Sequence, residues 1–172
     1  MTNLLISGLV ILESAMGSVT PIESKAIPTQ TLETYDYLDY RQTYYTVEQG
    51  ELSVGSRDFK GNEINLNNEN VRVVDNMVMF NDLEYGYIPI VAVSLDEVLA
   101  SRNGEYTFGI YGSVIEIKYP DVDTTQKAII LDACGACRYA DKIDMWLYEA
   151  DESLDINGVS FDYIRYGWHE EE

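Results

Sequence analysis

Two acidic residues, each set at the end of an apolar run, are the part of this chain best suited to chemistry. Asp132 closes the run that ends at Leu131, and Asp144 opens the one that continues through Met145, Trp146 and Leu147. They stand twelve positions apart, separated by the small residues Ala133 to Ala136. That composition predicts a tight turn in which Gly135 takes backbone angles closed to other residues. Such a turn brings the carboxyl groups together, and like charge plus partial loss of water favours the protonated form of one of them. A fold prepares a general acid for work near neutral pH in this way. Asp144 is expected to be that acid, because its neighbours Met145, Trp146 and Leu147 are apolar, whereas the turn amides after Asp132 hold that carboxyl ionised. The alternative is that both acids are architectural and cap strand ends or bond turn amides.

Cys134 and Cys137 lie between the two acids and are the only cysteines; His169 is the only histidine. A structural zinc site takes four sulfur or nitrogen ligands, which this chain cannot assemble in the usual set. A thioredoxin-type redox role expects a βαβ setting, and none is legible. The pair therefore reads as two small residues filling a turn, either as free thiols or as a disulfide. No Asp-x-Asp-x-Asp-Gly loop occurs, so no calcium site is expected. The expectation is no metal and no cofactor. Tyr35, Tyr37, Tyr40, Tyr44 and Tyr45 form a cluster whose rings suit sugar stacking, a strand face or a subunit interface.

The elements that must position these residues read mostly as strands. Hydrophobic residues make up 46% of the 172, which is enough for one sizeable core, and 14 Tyr against 4 Phe suit pleated, half-buried surfaces. With 11 basic and 30 acidic residues the net charge is -19, which repels phosphate backbones and argues against a nucleic-acid partner. Leu4 to Leu12 is apolar but, at nine residues, well short of the roughly 20 that a spanning helix needs, so no membrane span is expected. The first Lys or Arg is Lys25, so the run lacks a basic leader even though Ala15 to Ser18 resembles a cleavage region. It reads better as an apolar arm that packs on the domain or on a neighbouring subunit. With Pro21 and Pro28 following among Ser and Thr, residues 1–34 are expected to be arm and linker, and residues 35–172 one domain.

Along that domain a first strand leads through Tyr45 and Val47 to a Gln49-Gly50 turn, with Leu52 to Val54 returning as its hairpin partner. Gly61 to Asn70 reads as an exposed Asn-rich loop. Val71 to Phe80 and Ile88 to Val93 read as core strands, and Leu95 to Ala100 as a short helix capped by Ser94 and followed by an Asn103-Gly104 turn. In Val114 to Tyr119, Val114, Glu116 and Lys118 share one face and Ile115, Ile117 and Tyr119 the other. Lys127 to Leu131, Ile143 to Leu147 and Val159 to Tyr166 complete the strands.

Taken together, Ile90 to Val93 (IVAV), Ile110 to Ile117 (IYGSVIEI), Ile129 to Cys137 (IILDACGAC) and Asp141 to Tyr148 (DKIDMWLY) resemble the three-aspartate domain and its double-psi β-barrel relatives. That group includes lytic transglycosylases and, more distantly, barwin and expansin. Val91, Ala92 and Val93 match the family's first element, Tyr111 and Gly112 its second, Asp132 its third, and Ile143 with Asp144 its fourth. The chain departs from the pattern where Ser94 stands at the first aspartate, with Asp96 two positions on, and where Ala133 and Cys134 replace a glycine pair. The aspartate-x-cysteine-x-x-cysteine form is nearer to barwin and expansin.

The resemblance implies an all-β fold, a six-stranded double-psi β-barrel with an N-terminal extension, in which Asp132 and Asp144 face one cleft. It implies catalytic roles for Asp144 and Asp132, and substrate contacts at Tyr111, Gly112 and Asp96. The activity implied is lytic cleavage of bacterial cell-wall glycan, in a phage virion or tail component with neighbouring tail subunits as further partners. The competing class is a structural tail or baseplate subunit that keeps the barrel without the chemistry.

Overall fold

The computed structural model describes residues 37–101 and 109–168. Contacts divide the chain into Met1–Thr31 and Leu32–Glu172, and every described residue belongs to the second unit. The expected arm, the Asn103-Gly104 turn, Tyr35 and His169 lie outside the described residues.

Among the described residues the fold is mostly sheet. In chain order the strands are β1 (Tyr37–Thr46), β2 (Ser53–Arg57), β3 (Glu63–Asn65), β4 (Val71–Val74), β5 (Met77–Asp82), β6 (Gly86–Ser94), β7 (Val114–Lys118), β8 (Thr125–Cys134), β9 (Lys142–Leu147) and β10 (Ile156–Arg165). One helix, α1 (Leu95–Ser101), follows β6, and short 3₁₀ turns occupy Ala136–Tyr139 and Glu152–Leu154. Ser94 starts α1 as expected, its Oγ accepting from the Asp96 amide at 3.3 Å.

Among the described residues ten strands form rather than six. β1 pairs antiparallel with β10, β10 with β7 and β7 with β8; β8 runs parallel to β6, β6 antiparallel to β9, and β9 parallel to β1. The ladders thus return to their starting strand through six members. The other four strands are the hairpins β2–β3 and β4–β5, the second attached to β6 through β5.

These hairpins sit where the sequence reads otherwise. Leu52 to Val54 does not return along β1, because β2 pairs with β3 instead. The Asn-rich segment is not a simple exposed loop. Asp58, 4% exposed, accepts the amides of Lys60 and Asn62 at 2.9 and 2.8 Å and the side-chain amides of Asn62 and Asn68, folding the loop around itself and burying Ile64 completely. Val71 to Phe80 is two strands. Asp75 and Asn76, at φ 47° and 69°, make the left-handed pair that a two-residue hairpin turn requires.

Strand pleating divides the interior into two clusters. One draws on all six strands of the circuit and includes Val91, Val93, Ile115, Ile117, Ile130, Ile143, Met145 and Phe161. The other lies on the alternate positions, with Ile90, Val114, Ile129, Leu131 and Trp146, and is covered by Val54, Ile64, Val71 and Phe80 of the hairpins. Runs apolar at every position, such as Ala128 to Leu131, follow from burial on both faces. Trp146 is fully buried and donates its indole N–H to the Glu51 carbonyl at 3.1 Å, satisfying its one polar atom.

Candidate acid site

Register brings the two acids to one face. Ala92 of β6 pairs with Asp132 of β8 on one side and with Asp144 of β9 on the other. A bulge between Val91 and Ala92 shifts the β8 register by one residue. That shift matters because strand side chains alternate in direction, so it carries Asp132 to the Ala92 side. On the far side of β9, Thr43 of β1 pairs with Asp144 and Tyr45 with Trp146. Thr43, Tyr45, Asp144, Ala92, Asp132 and Cys134 therefore share a face.

Asp132 is held by backbone donors. Its Oδ1 accepts the amide of Gly55, on β2, and that of Ala133, both at 2.8 Å. Ser56 fixes β2 beside it by donating its hydroxyl to the Leu131 carbonyl at 2.5 Å. A Cβ built on Gly55 would stand 3.1 Å from Asp132 Oδ1 and 3.5 Å from the Tyr111 hydroxyl oxygen, so the absence of a side chain lets β2 approach this closely. Burial nevertheless raises the Asp132 pKa; the amides of Gly55 and Ala133 and the Tyr45 hydroxyl recover only part of the rise, and the Glu51 charge adds to it. The turn amide does lower this group's pKa as expected, but loss of water outweighs it and the net direction is upward.

Asp144 also has a raised pKa. Burial is the largest cause, the Lys142 charge opposes it, and the Asp132 charge reinforces it. The Thr43 hydroxyl bonds Oδ1. Oδ2 faces sulfur, 2.9 Å from Cys134 Sγ and 3.4 Å from Cys137 Sγ. Tyr45 packs against Ala92, Cys134 and Cys137. Its hydroxyl is buried, and its pKa lies far above the usual phenol value through burial first, then the charge of Asp132 and the hydrogen bond to it, then the charge of Asp144.

The cysteines are joined as a disulfide whose Cα atoms are 5.2 Å apart. The ligand atoms of Cys134, Cys137 and Asp144 lie within 4.8 Å of one another, but two of them are bonded together and offer no thiolate to a metal. Gly135 departs from the expected left-handed turn. Its φ is -64°, nothing lies near its absent Cβ, and it leads directly into the 3₁₀ turn.

The remaining sequence candidates divide. Tyr111 is buried, with its hydroxyl on the Gly55 side near Asp132. Gly112 lies under Trp168 at φ +84°, donates its amide to the Ile130 carbonyl at 2.9 Å, and accepts Arg165 Nη2 at 2.8 Å; its position is one of backbone packing. Asp96 is half-exposed on α1 and bound to Arg138 at 2.8 Å, tying α1 to the 3₁₀ turn rather than joining the acid pair. Thr43 and Gly55 were not foreseen. No local pattern marks them, since they reach the site through the parallel β1–β9 ladder and the placement of β2 over β8.

No helix among the described residues is long and apolar enough to cross a membrane. Compared with protein-family models, with curated proteins and with solved structures, the chain matches none, and what the site does has to be read from its own geometry.

Proposed function

We propose that the closed circuit of ladders is a six-stranded double-psi β-barrel of the three-aspartate kind, and that it cleaves bacterial cell-wall glycan with Asp144 as general acid assisted by Asp132. The observation that carries this reading is the pairing of both acids with Ala92. It sets two carboxyl groups with raised pKa values on one face, with the Ala92 methyl and the Tyr45 side chain between them. Two parallel ladders within an otherwise antiparallel circuit support the barrel assignment.

In the reaction, protonated Asp144 delivers its proton to the glycosidic oxygen as the bond to the anomeric carbon breaks. The resulting carboxylate then accepts the proton of the sugar's own 6-hydroxyl, whose oxygen closes onto that carbon. An anhydro-sugar leaves, no water is consumed, and Asp144 is again protonated. Asp132, fixed by the Gly55 and Ala133 amides, supplies negative charge that stabilises the developing oxocarbenium ion and keeps the Asp144 pKa high. The backbones of β8 and β9 are two interstrand spacings apart here, about 9.5 Å, and the Tyr45 ring that packs on Ala92 must move aside for a sugar to reach both acids. Tyr111, buried with its hydroxyl on the Gly55 side near Asp132, is the aromatic contact that this reading assigns. A phage virion is the setting this reading implies, the particle carrying the domain to the wall and tail subunits surrounding it.

One observation favours a non-catalytic barrel. Ser94, at the position of the family's first aspartate, is used as the cap of α1, and Asp96 is occupied by Arg138. Digestion of purified peptidoglycan followed by product analysis separates the readings. Anhydro-muropeptides support the transglycosylase, reducing ends point to a hydrolase, and the absence of products assigns the barrel a structural role in assembly.

A further inference from the structure

We propose that Cys134–Cys137 is a reversible thiol–disulfide couple that exchanges with small dithiols, with Cys137 as the sulfur attacked, Cys134 as the leaving sulfur and Asp144 as its proton donor. The geometry distinguishes the two sulfurs. Cys137 lines an open pocket of about 370 Å³ bordered by Tyr40, Ser94, Glu97, Arg138 and Lys142. Cys134, 8% exposed against 2% for Cys137, is not among the residues that border that pocket. Its Sγ accepts the Cys137 amide at 2.9 Å and lies 2.9 Å from Asp144 Oδ2, the nearer of the two sulfur contacts that this oxygen makes.

A disulfide sulfur carries no hydrogen. A close contact between it and a carboxyl oxygen is therefore favourable when the hydrogen is on the carboxyl, as an O–H donating to sulfur, and unfavourable when a carboxylate lone pair faces sulfur lone pairs. Burial and the Asp132 charge favour that protonated form, while Lys142 and the Thr43 hydroxyl favour the carboxylate. On opening, the same proton has somewhere to go. Cys134 leaves as a thiolate, the Cys137 amide already bonds it, and Asp144 Oδ2 protonates it.

The steps balance. A thiolate from the dithiol attacks Cys137 Sγ, the Cys134–Cys137 bond breaks, and a mixed disulfide forms between Cys137 and the reagent. Cys134 takes the Asp144 proton, and solvent reprotonates Asp144 with the proton that the attacking thiol released. The reagent's second thiol then attacks its own sulfur in the mixed disulfide and expels Cys137, which is protonated in turn. The dithiol is oxidised by two electrons to its disulfide, and the protein disulfide is reduced to two thiols.

A purely architectural role fits the position less well. The bond spans a sequence separation of 3, and the shorter the loop, the less a cross-link constrains the unfolded chain. The segment that carries it is a single 3₁₀ turn closed by long backbone bonds, Arg138 to the Gly135 carbonyl at 3.4 Å and Ala140 to the Cys137 carbonyl at 3.3 Å. Gly135, Ala136, Arg138, Tyr139 and Ala140 are all exposed, so the turn can open locally toward the pocket.

The test is native-state reduction of the full chain by dithiothreitol, with maleimide trapping and mass spectrometry. We expect both thiols to appear without denaturant, and the Cys137 thiol of Cys134→Ser to exchange with glutathione disulfide, forming a mixed disulfide at Cys137 and releasing one reduced glutathione. Asp144→Asn should slow opening at least tenfold near neutral pH and flatten its pH dependence, whereas Asp132→Asn should retain a pH-dependent rate. Reduction only after denaturation, or an Asp144→Asn rate and pH profile equal to wild type, would overturn the proposal. The readout is thiol content, so it stands or falls independently of glycan cleavage.

Discussion

Asp132 and Asp144 pair with the same residue, Ala92, from the strands on either side of it. A row of three positions in which the middle one carries only a methyl group places two acids on one face with little between them except the Tyr45 ring and hydroxyl. Each acid has a different kind of partner. Asp132 is bonded by fixed backbone amides, whereas Asp144 is bonded by a side-chain hydroxyl and faces sulfur.

That difference predicts unequal consequences for activity. Asp144→Asn removes the ionisable proton and should reduce release of anhydro-muropeptides by at least a thousandfold, whereas Asp132→Asn, which can still accept the Gly55 amide, should reduce it about ten- to a hundredfold. Product release assayed across pH should show the alkaline limb moving to lower pH in Asp132→Asn, because the Asp132 charge helps to hold the Asp144 pKa up. Equal losses in the two variants would remove the distinction between their roles.

The same acids should cost stability at neutral pH. Both have folded-state pKa values raised above their unfolded ones. Their contribution is fully present below the ordinary carboxyl value of about 4 and is lost as pH rises through the raised folded values. Asp144→Asn is thus expected to unfold at a higher temperature than wild type at pH 7, by a few degrees, with the gap closing at pH 4. Thermal unfolding at the two pH values measures this; a variant less stable at pH 7 would contradict the direction of the shift.

Asp82 and Arg165 should behave in the opposite sense. Arg165 donates to both Asp82 oxygens at 2.8 and 2.5 Å, and the pair is nearly buried, at 12% and 2% side-chain exposure. Burial alone would raise the Asp82 pKa, but Arg165 and the amides of Glu84 and Tyr85 lower it overall. Its stabilisation is therefore present above the unfolded value and is lost as pH falls through the depressed folded one. Asp82→Asn should cost about 3 kcal/mol at pH 7, because it leaves the buried guanidinium only the more distant, half-exposed Glu84 carboxylate at 3.6 Å as counter-charge. Denaturant titration should find the difference shrinking in strong acid.

Gly112→Ala tests a backbone constraint. A Cβ there would lie 2.5 Å from the Trp168 ring and 2.8 Å from the Trp168 amide nitrogen, at a φ of +84° that side-chain-bearing residues rarely adopt. The backbone atom cannot swing away as a flexible side chain would. A loss of about 2–4 kcal/mol is expected, combining left-handed strain with overpacking, accompanied by a shift in Trp168 fluorescence. A neutral substitution would show that Trp168 is not seated on this glycine.

Local pattern was enough to identify strands as the main element, because hydrophobicity and turn residues act over a few positions. It placed Ser94 before α1, separated the two faces of Val114 to Lys118, and singled out Asp132, Asp144 and the cysteine pair. It joined Val71 to Phe80 into one strand, because apolar residues continue across the Asp75–Asn76 turn, and it treated Gly61 to Asn70 as exposed, because the buried partner of its amides, Asp58, lies just outside that segment. At Asp132 it found the stabilising turn amide but not the opposing non-local term, the water removed when β2 and Tyr45 cover the carboxyl. Tertiary structure alone decided that a one-residue bulge beside Ala92 turns Asp132 toward Asp144, that the parallel β1–β9 ladder delivers Thr43 and Tyr45, and that the Asp144 carboxyl meets the disulfide. Register between strands distant in sequence is set by the packing of whole faces, and no short stretch of residues encodes it.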